Sequence, residues 1–208
     1  MINPHCPVRG CRATRSHTED PFVIEIVNEI ASPQVFLKWV QVAISQLYCS
    51  VKDDDRSGRL VAYLTRIRQI EELYFKTLYI LLLAEPLEVP HVVSGEMPNS
   101  FGDLYKRVNE EILLGRGLLM ARGMYTWWGM DSALDVLNNG AHVGLKTLLF
   151  VKRKRSPTDR KGYLKHVKTY IQHIEHMRGL FAAGSKREAV RGSVVEMYKA
   201  MFDQPPES

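Results

Sequence analysis

Cys6 and Cys11 are separated by four residues, and His17 follows six positions after the second cysteine. Thiolate and imidazole are ligands that hold zinc at the corners of a tetrahedron, and the first pair usually brackets a tight turn of about two to four residues. Pro7 stiffens that turn, and Gly10 can take a positive φ just before the second thiol. Arg9, Arg12 and Arg15 would favour the thiolate form. Cys49, the remaining cysteine, is the preferred fourth ligand. His5 adjoins Cys6, which makes simultaneous binding to one ion awkward. Cys6, Cys11, His17 and Cys49 therefore define a candidate structural zinc site that would fasten the N-terminal arm to the body. The competing readings are incidental cysteines on an arm, with Cys49 a small core residue, or a Cys6–Cys11 disulfide.

The second chemical signal is charge. Lys152, Arg153, Lys154, Arg155, Arg160 and Lys161 lie in ten residues with Asp159 as the single acid, and this stretch alone accounts for the net charge of +5 of the whole chain. Such a cluster could neutralise several phosphates of a nucleic acid. No aromatic residues interleave it, so base stacking is not indicated. Its ordinary alternative is a solvated loop between helices.

Three histidines, His166, His173 and His176, fall on one segment. His166 and His173 project from the same side of a helix but stand about 10 Å apart along it, too far to share a metal. The apolar stripe Leu164, Val167, Ile171, Ile174 and Phe181 marks the core side, and the histidines read as a partly exposed shoulder beside it. The Arg160-x5-His166 spacing resembles an arginine–histidine pattern of small helical RNA-cleaving domains. That resemblance implies phosphate binding and acid–base chemistry at Arg160 and His166, with His173 as a further candidate. It is confined to these residues, and the polar neighbour usual for the arginine is missing, so it assigns no family.

Trp127 and Trp128, among Met120, Met124, Tyr125 and Met130, would form either an adaptable binding surface or a core plug. A phosphate-binding Walker loop, a dinucleotide-binding glycine pattern, His-Glu-x-x-His and a nucleophile elbow are all absent from the sequence. Glu71-Glu72 and Glu110-Glu111 read as carboxylate pairs on helix surfaces, without the Glu-x-x-His partner of di-iron bundles.

The elements that must position these residues are helices. Asp20-Pro21 and Ser32-Pro33 are successive helix starts, the first running to about Ile30 and the second to about Ser50. In the second, Phe36, Val40, Ile44 and Leu47 form one stripe and Val35, Trp39, Val42 and Gln46 another. Asp53-Asp54-Asp55 reads as a solvated turn. The longest helix is expected over Arg59 to Ala84, and Glu85 to Asn99, with Pro86, Pro90 and Pro98, as the longest irregular connection. Within it, Glu88 to Val93 could be extended. Further helices are expected from Ser100-Phe-Gly-Asp103 to about Gly115–Arg122, from Asp131 to Lys152, from Arg160 to Ala183, and from Ser185-Lys-Arg-Glu188 to Phe202.

The expectation is an all-α, single bundle of about seven helices over residues 20–203, with an irregular N-terminal arm over 1–19 and a frayed tail over 204–208. The composition, 45% hydrophobic and 25% charged, suits a folded globular chain. No apolar signal segment opens it, and its longest apolar run, Leu78 to Ala84, is far short of the ~20 residues that span a bilayer. A reducing cytoplasm is therefore expected. The expected function is non-enzymatic: a binding or regulatory protein with nucleic acid or another protein as partner. The alternatives are a small nuclease-like or metal-dependent hydrolase using Arg160 and His166, and an oligomeric scaffold.

Overall fold

The computed structural model describes residues 20–96, 101–112 and 160–202. Among them are seven α-helices and one π-helical turn, with no strand: α1 (Pro21–Ile30), α2 (Pro33–Arg56), α3 (Leu60–Leu78), the π-turn (Tyr79–Leu83), α4 (Val89–Val93), α5 (Phe101–Ile112), α6 (Arg160–Ala182) and α7 (Arg187–Phe202). The all-α bundle expected from the sequence is therefore observed. No described helix is long and apolar enough to cross a membrane.

Asp20 caps α1 as its position before Pro21 suggests, with its carboxylate accepting from the N–H groups of Phe22 at 2.9 Å and Val23 at 3.4 Å. In α2 the two apolar stripes part company. Phe36, Val40 and Ile44 are buried, whereas Val35, Trp39 and Val42 are exposed. The helix also runs past the expected end to Arg56. Asp54 is the reason: it is buried and ion-paired to Arg59 at 2.9 Å, and Arg59 N–H donates to its carbonyl at 2.9 Å. The acidic triplet is thus the last turn of a helix rather than a solvated loop. Gly58, with φ of 70°, then reverses the chain into α3.

α3 is the centre of the bundle and packs against α2, α5 and α6. Tyr63, Leu64, Ile67, Ile70, Tyr74 and Leu78 are inaccessible or nearly so. Tyr74 stacks on Tyr170 of α6 with ring centroids 4.2 Å apart, and Phe75 meets Tyr105 of α5 edge to face at 4.8 Å. The Arg68 guanidinium lies 3.3 Å from the centre of the Phe101 ring, joining α3 to the start of α5.

Two sequence expectations are corrected here. Glu71, read as a surface carboxylate, is buried. It shares a helical face with Ile67, Tyr74 and Leu78, so the packing of that face takes it inward. Residues 88–93 are not extended: Val89–Val93 forms α4, with Pro90 in its first turn, where the missing N–H costs no hydrogen bond.

Candidate binding cleft

At the end of α3 the chain widens into the π-turn, and the Ala84 N–H donates to the Tyr79 carbonyl five residues back at 2.7 Å. Single π-turns of this kind are frequent at functional sites. Here the turn forms the floor of an open cleft of about 510 Å³. Tyr79, Leu82 and Leu83 supply the floor, Glu85 and Glu88 follow it in the chain, and α5 and α7 supply the two walls.

Helical spacing aims the wall residues. Arg107 and Glu111 are one turn apart on α5, and Arg187 and Arg191 are one turn apart on α7, so each pair faces the same way. Each guanidinium is fixed through one nitrogen by a protein acceptor. Arg107 Nη1 donates to Tyr79 Oη at 2.6 Å, Arg187 Nη2 to the Ala84 carbonyl at 2.9 Å, and Arg191 Nη2 to the Glu111 carbonyl at 3.0 Å. Tyr79 Oη in turn donates to Glu88 Oε2 at 3.2 Å, and Glu88 also accepts from the Glu85 N–H at 3.1 Å. The ion pairs of Arg191 are long, 3.7 Å to Glu188 and 3.9 Å to Glu111, and its Nε is buried without a hydrogen-bond partner.

The cleft is of mixed charge, with Arg107, Arg187 and Arg191 set among Glu85, Glu88, Glu111 and Glu188. Burial lowers the Arg187 pKa from its ordinary value; Glu85 opposes this, and the neighbouring Arg191 adds to it. Burial raises the Tyr79 phenol, with Arg107 pulling it back and Glu88 pushing it further up. Three guanidinium groups held in place around one opening can receive an anion, and the planar fork of arginine matches the oxygens of carboxylate or phosphate.

A second polar cluster lies inside the bundle. The Tyr74 phenol and His173 Nδ1 are hydrogen-bonded at 2.8 Å. His173 is 2% exposed, which corrects its reading as a partly exposed shoulder. Burial, and to a lesser extent the charge of His176, push its pKa down to about 4. His176 does lie exposed, where its Nε2 meets Ser193 Oγ at 2.6 Å and links α6 to α7. Burial raises the Glu71 carboxyl to about 7 against the attraction of Arg68, and its Oε2 is buried without a hydrogen-bond partner.

The other residues singled out by sequence fall as follows. Cys49 is an exposed free thiol on α2, and its proposed co-ligands Cys6, Cys11 and His17 lie outside the described residues. Among the described residues no group of three or more histidine, cysteine or acidic side chains could hold a metal. Lys152, Arg153, Lys154 and Arg155 lie outside the described residues, as do Trp127 and Trp128. Arg160 and Lys161 open α6, and His166 follows on the same helix; the side chains of these three lie outside the description. Sequence reasoning missed Arg107, Arg187 and Arg191 altogether. Their only sequence signal is the one-turn spacing of Arg187 and Arg191.

Comparison of the chain with protein-family models, curated proteins and solved structures returned no match.

Proposed function

We propose that the protein is a non-enzymatic binding protein, regulatory in role, whose cleft between α5 and α7 receives an anionic group of its partner. The observation that carries this reading is the convergence of Arg107, Arg187 and Arg191 on one opening, each anchored by a protein acceptor. Anchoring removes much of the side-chain entropy that an exposed arginine would lose on binding. The basic stretch Lys152–Lys161 would add long-range attraction for an acidic partner. A zinc ion held by Cys6, Cys11, His17 and Cys49 would be structural in this scheme, pinning the arm to α2.

The test is a nuclear magnetic resonance titration with inorganic phosphate. Saturable shifts of backbone amides around Arg107, Arg187 and Arg191 are expected, and Arg187→Gln should diminish them. An absence of saturable shifts, or undiminished shifts in the variant, would overturn the reading.

A further inference from the structure

We propose that the cleft docks a phosphorylated segment of a protein partner, with the phosphate on the arginines and a flanking basic side chain of the segment on the carboxylates at the rim. This rests on the anion-binding reading above and specifies its partner.

The arginine side of the cleft calls for a compact, multiply charged anion. Arg187 and Arg191 are like charges one helical turn apart, offset in part by the long ion pairs of Arg191 with Glu188 and Glu111. The carboxylates nearest Arg191 stand at 3.7 and 3.9 Å, beyond the ~2.7–2.9 Å of a charge-assisted hydrogen bond. A phosphate monoester carries close to two negative charges at neutral pH and offers three acceptor oxygens, which suits guanidinium groups arriving from two walls. Arg187 also opens α7, where the positive end of the helix dipole adds to the attraction.

The rim discriminates between the kinds of molecule that carry phosphate. Glu111 and Glu188 are about two-thirds exposed, at 67% and 66%, so their carboxylates stand at the mouth rather than deep in the cleft. Glu85, also exposed, lines the same opening. A polynucleotide would bring a further negative charge with every flanking nucleotide toward these carboxylates. A peptide with lysine or arginine beside its phosphorylated residue brings the opposite charge to the same place. The volume of about 510 Å³ and the open mouth admit a phosphorylated side chain with its neighbours. Recognition of a phosphorylated motif by an arginine cluster is a known docking mode, and the acidic rim sets the sequence context it would prefer here.

The experiment is fluorescence anisotropy on the full chain with four labelled probes. These are a phosphoserine peptide with nearby lysines, its unphosphorylated form, the same phosphopeptide with glutamates in place of the lysines, and a short single-stranded oligodeoxynucleotide. The lysine-flanked phosphopeptide should bind at least about tenfold more tightly than each of the others. Arg187→Gln should remove the preference for phosphate. Glu188→Gln, at an exposed position, should remove the preference for lysine over glutamate flanks while keeping that for phosphate. Arg107→Gln replaces the first variant if circular dichroism shows that Arg187→Gln does not fold. Indifference to phosphorylation, equal binding of the glutamate-flanked peptide, or tighter binding of the oligonucleotide each overturns the proposal. If inorganic phosphate still shifts the cleft amides in that event, only the partner assignment fails. If it does not, the anion site fails too.

Discussion

Tyr74 of α3 and His173 of α6 share a hydrogen bond of 2.8 Å in the middle of the bundle, with the neighbouring Tyr170 ring stacked on Tyr74 at 4.2 Å. The bond is directional where the surrounding contacts are not. It ties α6 to α3, and α7 packs on α6 with the His176–Ser193 contact between them. Arg187 and Arg191 are also held at the cleft directly, by their bonds to the carbonyls of Ala84 and Glu111.

Replacing Tyr74 by phenylalanine keeps the stacked ring and removes the phenol, leaving His173 Nδ1 buried without that partner. The expected loss is about 1–3 kcal/mol of stability, the cost of an unsatisfied buried polar group. Urea unfolding followed by helical circular dichroism measures it. A variant as stable as the parent would show that the bond contributes nothing.

Two of the buried titratable groups, His173 and Glu71, make opposite demands on pH. His173 has its pKa lowered from 6.5 to about 4, so the unfolded chain takes up the proton first and this contribution to stability grows as pH rises through that window. Glu71 has its pKa raised from 4.5 to about 7, so the folded chain holds the proton longer and its contribution falls as pH rises through that window. Over the shared range the two slopes oppose, and unfolding free energy should change little on their account. Glu71→Gln removes one of them. Its stability should then rise by about 2 kcal/mol across the shared range, the larger part of what the remaining His173 shift is worth. A curve that stays flat or falls in this variant contradicts the assignment.

These buried groups show how far the sequence could be read. The helix starts at Asp20-Pro21 and Ser32-Pro33 and the buried stripe Phe36, Val40 and Ile44 were legible because capping chemistry and helical period are local. At Glu71 and His173 side-chain polarity points outward and helical position points inward, and position decides. Glu71 sits four residues after Ile67 and three before Tyr74, and His173 sits three after Tyr170 and four before Met177, so periodicity alone would have placed both inside. The end of α2 was missed because Asp54 is stabilised by Arg59 across the turn, a contact that exists only once the chain has reversed. The cleft was illegible for a stronger reason. Arg187 is bonded to Ala84 across 103 positions of sequence, and Arg107 to Tyr79 across 28, so no spacing rule could join them.

The cysteine head makes a separate prediction. Purified protein analysed for elements should carry one zinc per chain, and Cys11→Ser should lose it. Because Cys49 is an exposed thiol on α2, Cys49→Ser should weaken retention without disturbing the core. Wild-type protein free of zinc after preparation in zinc-containing medium would remove the site.

The basic stretch predicts attraction of a general kind. If it steers acidic partners, binding to a polynucleotide should weaken steeply with salt, and neutralising Lys152, Arg153, Lys154 and Arg155 should flatten that dependence. An unchanged slope in the neutralised variant would show that these residues take no part.

If Arg107, Arg187 and Arg191 form an anion site, calorimetric titration of inorganic phosphate into the wild type and into Arg187→Gln will distinguish the two proteins. A hydrogen bond to a charged group contributes about 1.5–3 kcal/mol, so the variant should bind at least about tenfold more weakly at low salt. Equal dissociation constants in the two proteins, with the variant folded, would contradict it.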